Sequence, residues 1–362
     1  VDSTRIKKIL PSIKKLLEQK AKIILLSHFG RPQGSWDNNL SLTSVAKELE
    51  LLIDKKVLLV TTNVKKLKKD ELEEKFKNVD ILLLENIRFY PEEEKNEDKF
   101  VKKLSSLADI FINECFSCSH RDHASISGIP RYLPSFPGKL LEYEIQNLKN
   151  LFLVQNESDG LAVLGGSKIS TKIKLLEFYA EKFSKVLIGG AMANTICSAQ
   201  GYEIGVSLHE KRMIKFSNEI IEKFGDKILL PLDFIVTNKK MDSQPIAKNK
   251  ENISKKDLIL DIGPQTRMLF YNEILKTKTI LWNGPLGLFE KKPYDEGTAF
   301  VLKAIRDNKI KNFFSVAGGG DTISILNQAN CFDDFSFVST GGGAFLEFIQ
   351  GALMPGLTSL ND

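Results

Sequence analysis

Four times along this chain a short apolar run ends in a cluster of glycines, a pattern that favours a fold whose strands deliver bare backbone to a ligand. Gly318-Gly319-Gly320-Asp321-Thr322 follows Phe313-Phe314-Ser315-Val316, and Gly165-Gly166-Ser167-Lys168 follows Leu161 to Leu164. Gly189-Gly190-Ala191 follows Val186 to Ile188, and Gly341-Gly342-Gly343 follows Phe337-Val338. A strand, a glycine turn and a helix N-terminus leave unpaired amides which, with the helix dipole, favour an anion. Asp321, beside one such turn, is placed to hold a magnesium ion that phosphates share. Four repeats of the device point to one phosphate-rich ligand held by many loops.

The rest of the chain supports the same fold class. Leucine-rich or β-branched runs alternate with amphipathic stretches, which predicts an α/β protein with parallel strands and crossover helices. Strands are expected at Ile23 to Leu26, Val57 to Val60, Ile81 to Leu84 and Ile110 to Ile112, enough for one open sheet. A second sheet is expected from Leu161 to Leu164, Val186 to Ile188, Ile228 to Leu230, Leu258 to Leu260, Ile280 to Trp282 and Phe313 to Val316. Between the two sets, Leu141, Ile145, Leu148, Leu151 and Phe152 share a helical face, entered through Pro130, Pro134 and Pro137. A length of 362 residues suits two domains. The predicted organisation is residues 1–139 as one Rossmann-like lobe, 140–155 as a hinge helix, 156–348 as a second such lobe, and 349–362 as a C-terminal segment.

Composition narrows the partners. The net charge of +5 is too small for nucleic-acid binding and fits a small anionic substrate. The lysine run from Lys65 to Lys77 is interleaved with Asp70, Glu71, Glu73 and Glu74 and reads as a solvated helix face. No apolar stretch approaches a membrane span. Four cysteines form no disulfide framework, which predicts a reducing cytoplasm.

Ligands of open parallel sheets bind beyond the carboxyl ends of the strands. In the first lobe those ends carry Ser27-His28-Phe29-Gly30-Arg31-Pro32, Glu85-Asn86-Ile87-Arg88-Phe89 and Asn113-Glu114-Cys115-Phe116-Ser117-Cys118-Ser119-His120-Arg121. With Arg5, the rim then presents His28, Arg31, Arg88, His120 and Arg121 with almost no opposing carboxylate, a setting for a phosphorylated acid gripped by guanidinium groups. The alternative is that each arginine is a surface residue paired with a glutamate. In the second lobe Lys168 and Lys172 are expected on one helix face, both reaching phosphates. The turn Trp282-Asn283-Gly284-Pro285-Leu286-Gly287-Leu288-Phe289-Glu290 offers apolar residues for an adenine slot and Glu290 for ribose hydroxyls, or else is a purely structural turn. Cys115, Cys118, His120 and His123 are four potential zinc ligands, but their crowding within nine positions strains a single tetrahedron. His209 reads as a surface residue.

These motifs resemble those of the phosphoglycerate kinases, in that family's order and over nearly the whole chain. Asp2-Ser3-Thr4-Arg5-Ile6, Leu26 to Pro32, Glu85 to Phe89 and His120-Arg121-Asp122-His123 are similar to its substrate-side motifs. Gly165 to Lys168, Asp261-Ile262-Gly263-Pro264-Gln265-Thr266, Trp282 to Glu290, Gly318 to Thr322 and Ser339-Thr340-Gly341-Gly342-Gly343 resemble its nucleotide-side motifs. The resemblance implies an enzyme that moves a phosphoryl group reversibly between 1,3-bisphosphoglycerate and ADP, giving 3-phosphoglycerate and ATP, with magnesium; a monomer is expected because each half has its own core and no strong self-complementary stripe is visible. It implies phosphoglycerate binding by Arg5, His28, Phe29, Gly30, Arg31, Arg88 and Arg121, supported by His120. It implies nucleotide binding by Gly165, Gly166, Lys168, Lys172, Gly189, Gly190, Asn283, Pro285, Glu290, Gly319, Gly320, Asp321 and Thr322, with Asp321 on the metal. Arg5, Lys168, Gly342 and Gly343 would act on the group in transit, by direct in-line transfer after domain closure. The C-terminal tail would pack on the first domain.

Departures from the family pattern carry expectations too. The family opens with a strand reading Arg-Val-Asp-Phe-Asn, and this chain opens at Val1, so the 362-residue segment is expected to be poorly active while its full-length parent is active. Asn113 to Ser119 stands where the family usually has Asn-Asp-Ala-Phe-Gly-Thr-Ala, and Ala191 replaces a third glycine.

Overall fold

A computed structural model describes residues 3–154 and 160–360. The chain divides into two compact units, Val1–Gln146 with Gly351–Asp362, and Asn147–Gln350. The expected helix end at Gln155, the side chain of Phe152 and the opening Asp2 lie outside what is described.

In the first unit the strands are β1 (Ile23–Leu25), β2 (Val57–Val60), β3 (Ile81–Leu84), β4 (Phe111–Asn113) and β5 (Ser135–Pro137). β3 is central in a parallel sheet ordered β1-β3-β2. Its four residues are all buried because they serve both faces. Ile81 packs with Ile13, Leu49 and Ile53 of the helices Thr4–Glu18 and Thr43–Ile53. Leu82 and Leu84 pack with Leu72, Phe100, Val101 and Leu104 on the other side. The expected fourth strand does not join this sheet. β4 pairs instead with β5, a strand not foreseen in the proline-rich stretch; Pro137 is tolerated at its end, where no ladder donor is needed. The lysine run forms the short helix Lys69–Lys75, with ion pairs from Lys22 to Glu73 and from Lys69 to Asp109. The C-terminal segment belongs to this unit: Gly356 N donates to Ser119 O (2.9 Å) and Asn113 Nδ2 donates to Gly356 O (3.1 Å).

The second unit holds β6 (Gly160–Leu164), β7 (Lys185–Ile188), β8 (Ile228–Leu229), β9 (Asp233–Asn238), β10 (Ile246–Asn249), β11 (Asp257–Ile262), β12 (Thr279–Asn283), β13 (Phe314–Gly318) and β14 (Phe337–Ser339). Six of them form a parallel sheet ordered β14-β13-β12-β6-β7-β8. Sequence order runs outward in both directions from the β6/β12 boundary, a topological switch point of the kind that binds nucleotides. The expectation of an all-parallel second sheet fails for Leu258 to Leu260. They lie in β11 of a separate antiparallel sheet ordered β10-β9-β11. A tight reversal after Asn238, with Met241 at φ +57° and its amide on Asn238 O (2.9 Å), lays β10 antiparallel beside β9, and β11 then pairs antiparallel with the opposite edge of β9.

Candidate active site

In the first unit the loops after β1 and β3 are adjacent because their strands are. Ile87 N donates to Ser27 O (3.1 Å), and Arg88 Nη1 donates to the carbonyl of Gly30 (3.2 Å), which is at φ +65°. Arg88 is only 4% exposed. Burial and then the neighbouring Arg121 lower its pKa. His28 is pushed down to about 4 by burial, then by Arg88, Arg121, His123 and Arg5; His123 is itself lowered by burial and by Arg88 and Arg121, so arginines lie near two neutral imidazoles. Arg121 Nε lies 3.4 Å from His120 Nε2. Arg5 is exposed in the first turn of its helix, and Phe29 and Arg31 are exposed beyond His28. The rim is not free of carboxylates: Glu94 Oε1 stands 3.5 Å from Arg88 Nε, and Glu93 is buried behind the cluster. The four potential zinc ligands do not converge; among the described residues no group of three or more His, Cys, Asp and Glu is arranged for a metal ion.

In the second unit the turns after β14, β13, β12, β6 and β7 lie side by side along the carboxyl edge of the sheet. Their glycines divide into two kinds. A Cβ at Gly165 would lie 2.0 Å from Pro285 O, one at Gly190 2.7 Å from Gly166 O, and one at Gly189 2.5 Å from Leu286 Cδ2. These glycines let neighbouring turns interlock. At Gly320, Gly342 and Gly343 a Cβ would meet nothing within 4 Å, so those turns are bare toward open space. Gly319, at φ +102°, caps the helix Gly320–Ala329, whose first turn carries the exposed Asp321.

Lys168 and Lys172 do not share a helix face. The helix starts only at Ile173. Thr171 Oγ1 donates to Lys168 O (3.0 Å) and Lys172 N donates to Ile169 O (2.7 Å), turns that hold the backbone off helix. Lys168 is exposed, whereas Lys172 turns inward and donates from Nζ to Gly165 O (2.7 Å). Burial lowers Lys172 to about 8, against the pull of Asp321, which places the two groups near one another at the switch point. Asn283 and Thr322 are buried cross-braces: Asn283 Nδ2 donates to Gly318 O (2.6 Å) and Gly284 N donates to Thr322 Oγ1 (2.8 Å). Asn283 Oδ1 is buried with no partner. Pro285 is buried and Glu290 exposed. Trp282 and Leu286 do not line a slot; both are fully buried core residues, and Trp282 stacks on Phe335 at 5.9 Å. Gly287, Leu288 and Phe289 are the half-buried part of that turn.

A family profile for phosphoglycerate kinase matches residues 1–352. The chain is 41% identical to a phosphoglycerate kinase of Orientia tsutsugamushi (strain Ikeda), covering 99% of this chain and 89% of that protein. It is 42% identical to one of Dictyoglomus turgidum, covering 100% and 91%. The solved structure of phosphoglycerate kinase from Coxiella burnetii superposes with a TM-score of 0.89 at 35% identity, covering 100% of this chain and 91% of that one. The chain belongs to the phosphoglycerate kinase family. It is a glycolytic kinase with the two-unit α/β fold of those enzymes.

Several residues that lie in or beside the quoted motifs support this kinase site in roles the sequence does not state. His123 is a second neutral imidazole near His28 and the arginines. Asn86 ties down the loop that carries His28, donating to Phe29 O (2.7 Å) and Leu40 O (2.9 Å), while Glu85 accepts from Leu42 N and Ser41 Oγ (both 2.8 Å). Glu210 accepts from Ser170 N (2.9 Å) and from Ser170 Oγ, anchoring the loop of Lys168. Burial opposes its charge, but those bonds outweigh it and hold its carboxyl below the usual range. Asp261 is buried between Gly287 and Gly297; it accepts from Gly297 N (2.7 Å) and pairs with Arg267 (3.2 Å), and burial pushes it up to about 7. Glu85 and Asp261 stand in quoted motifs, but their bracing roles, like that of Glu210, depend on partners distant in sequence.

Proposed function

We propose that the first unit binds 3-phosphoglycerate or 1,3-bisphosphoglycerate and the second binds ADP or ATP with magnesium. The observation that carries this reading is the histidine kept neutral near a group of arginines. A site that has already gathered Arg88, Arg121 and Arg5 near His28 is short of negative charge, and a phosphorylated carboxylate supplies it. In this reading Arg88 and Arg121 are the principal anchors, Arg5 and Arg31 approach from the exposed side, and His120 steadies Arg121. Phe29 and Gly30 shape the loop around the substrate.

On the nucleotide side, Gly320 and the amides around Asp321 take phosphates, with Lys168 and Lys172 as counter-charges, and Glu290 takes ribose hydroxyls. Gly165, Gly166, Gly189, Gly190, Gly319, Pro285 and Thr322 build the cradle. Asn283 offers its unpartnered oxygen to the ligand. An exposed carboxylate in a first helical turn beside a bare glycine fits a hard, oxygen-preferring cation, so Asp321 is the residue to hold magnesium. When bound, that ion neutralises charge on the phosphates. Gly342 and Gly343 present backbone to the migrating group, and Lys168 and Arg5 add positive charge to it. Direct transfer needs the acyl phosphate and nucleotide in line and water shed, so the cycle includes a closure step. The residue ranges 1–139, 140–155, 156–348 and 349–362 are our functional division of the chain. The free thiols and separate cores support a monomer in the cytoplasm.

The decisive assay is ATP consumption as a function of 3-phosphoglycerate. Turnover is expected only when both are present; a non-catalytic nucleotide-binding protein of this fold would retain ATP without consuming it. Proton linkage provides a second check. His28 ordinarily titrates at 6.5 and here at about 4, so the stability it contributes is full above pH 6.5 and is lost as pH falls through about 4. An anion among the cations favours the imidazolium, so 3-phosphoglycerate is expected to raise the His28 pKa, read from its ring resonances by NMR. An unchanged titration would remove His28 from the substrate site.

A further inference from the structure

The pair Cys115 and Cys118 has no part in phosphoryl transfer, yet it sits at the root of the phosphoglycerate cluster. Cys115 caps the single 3₁₀ turn Phe116–Cys118, and Cys118 N donates to Cys115 O (3.1 Å). A hydrogen-bonded turn of this kind brings its end Cα atoms within about 7 Å, the upper part of the range a disulfide spans. The Ser117 hydroxyl lies 3.3 Å from Cys115 Sγ, and the Cys118 thiol is near enough to influence the Cys115 thiol electrostatically. The Cys118 thiol, the largest influence, lowers the Cys115 thiol with help from Ser117 and Arg5, while Cys118 is raised. Cys115 is partly exposed; Cys118, Cys197 and Cys331 are buried.

The backbone leaving this turn leads directly into the substrate-binding side chains. Arg121 N donates to Cys118 O (2.9 Å), Ser119 Oγ donates to Cys115 O (3.0 Å), and Ser119 O receives Gly356 of the C-terminal segment. Any contraction between the sulfurs is therefore passed to His120 and Arg121 through one or two residues of backbone.

We propose that Cys115 and Cys118 are a reversible oxidation site: hydrogen peroxide closes them into an intramolecular disulfide that shifts His120 and Arg121 and weakens phosphoglycerate binding. The Cys115 thiolate attacks one peroxide oxygen, the O–O bond breaks, and the leaving hydroxide takes up the thiol proton, giving a sulfenic acid and water. Cys118 sulfur then attacks the sulfenic sulfur and loses its proton; hydroxide leaves with that proton as a second water. Two thiols have lost two electrons and peroxide has gained them. An external dithiol reverses the step by thiol–disulfide exchange.

The consequence for affinity rests on the first unit being the phosphoglycerate site; disulfide formation does not, so the two are read separately. Wild-type protein is treated with equimolar peroxide, its remaining thiols are alkylated, and it is mapped by mass spectrometry. A peptide bridging Cys115 and Cys118, lighter by two hydrogens, is expected, with Cys197 and Cys331 unoxidised. The KM for 3-phosphoglycerate is expected to rise about tenfold, since small shifts of a binding group are costly, and to recover with dithiothreitol. C115S and C118S retain the untreated activity and lose the response. A sulfinic or sulfonic acid on Cys115 without the bridge overturns the proposal, as does a bridge that leaves KM unchanged.

Discussion

Lys168→Ala is expected to lower kcat by roughly 10²–10³-fold, the usual cost of removing one preorganised charge from a transition state, while changing nucleotide affinity by only a small factor. The contrast with Lys172 is the reason. Lys172 is spent on Gly165 O inside the cradle, but Lys168 is exposed on a loop whose backbone is held independently, by Glu210 on Ser170 and by the Thr171 hydroxyl on Lys168 O. Truncating it removes charge without disturbing the packing, so thermal denaturation should be unchanged. Steady-state kinetics and equilibrium nucleotide binding, measured on the same preparation, separate the cases. A loss confined to binding, or none at all, would show that Lys168 does not face the migrating group.

Gly165→Ala is expected to destabilise the protein by about 3 kcal/mol, at the upper end for forcing a methyl group into a packed site. The added carbon would lie 2.0 Å from Pro285 O and 2.9 Å from Gly284 O, both backbone atoms of the turn after β12, which cannot rotate aside. Separation of the β6 and β12 turns would also move Lys172 and Asn283. Tm should fall by roughly 6–12 °C. Gly343→Ala is the control: nothing lies within 4 Å of its added Cβ, so Tm should hold, and turnover should fall if, as we propose, this turn approaches the migrating group. Equal melting of the two variants would mean that the glycines are not divided between packing and ligand approach.

Legibility in the sequence tracked the range of the interaction. The four glycine clusters were visible because a glycine turn is a local signal, and strand spacing put them at strand ends. Their division into interlocking and open turns was not visible, since it depends on which strands become neighbours: Gly165 meets Pro285 only because β6 pairs with β12. Lys168 and Lys172 show the limit of periodicity. Four-residue spacing suggested a helix, but Ser170 and Thr171 hydroxyls and distant Glu210 supply competing bonds that keep the segment a loop. Leu258 to Leu260 read as one more parallel strand because alternation says nothing of direction, which is decided only when β11 pairs with the edge of β9 opposite β10.

By itself, then, the order of residues determined an α/β chain with phosphate-seeking turns, a set of arginines and histidines at strand ends, and a family membership. Those properties reside in short segments whose chemistry is set by their own side chains and backbone. Tertiary structure alone decided that His28 stays neutral, that Lys172 and Thr322 brace turns, and that Glu85, Asn86, Glu210 and Asp261 hold the loops. Each of these depends on burial and on partners far along the chain, and neither quantity exists until the sheets have formed.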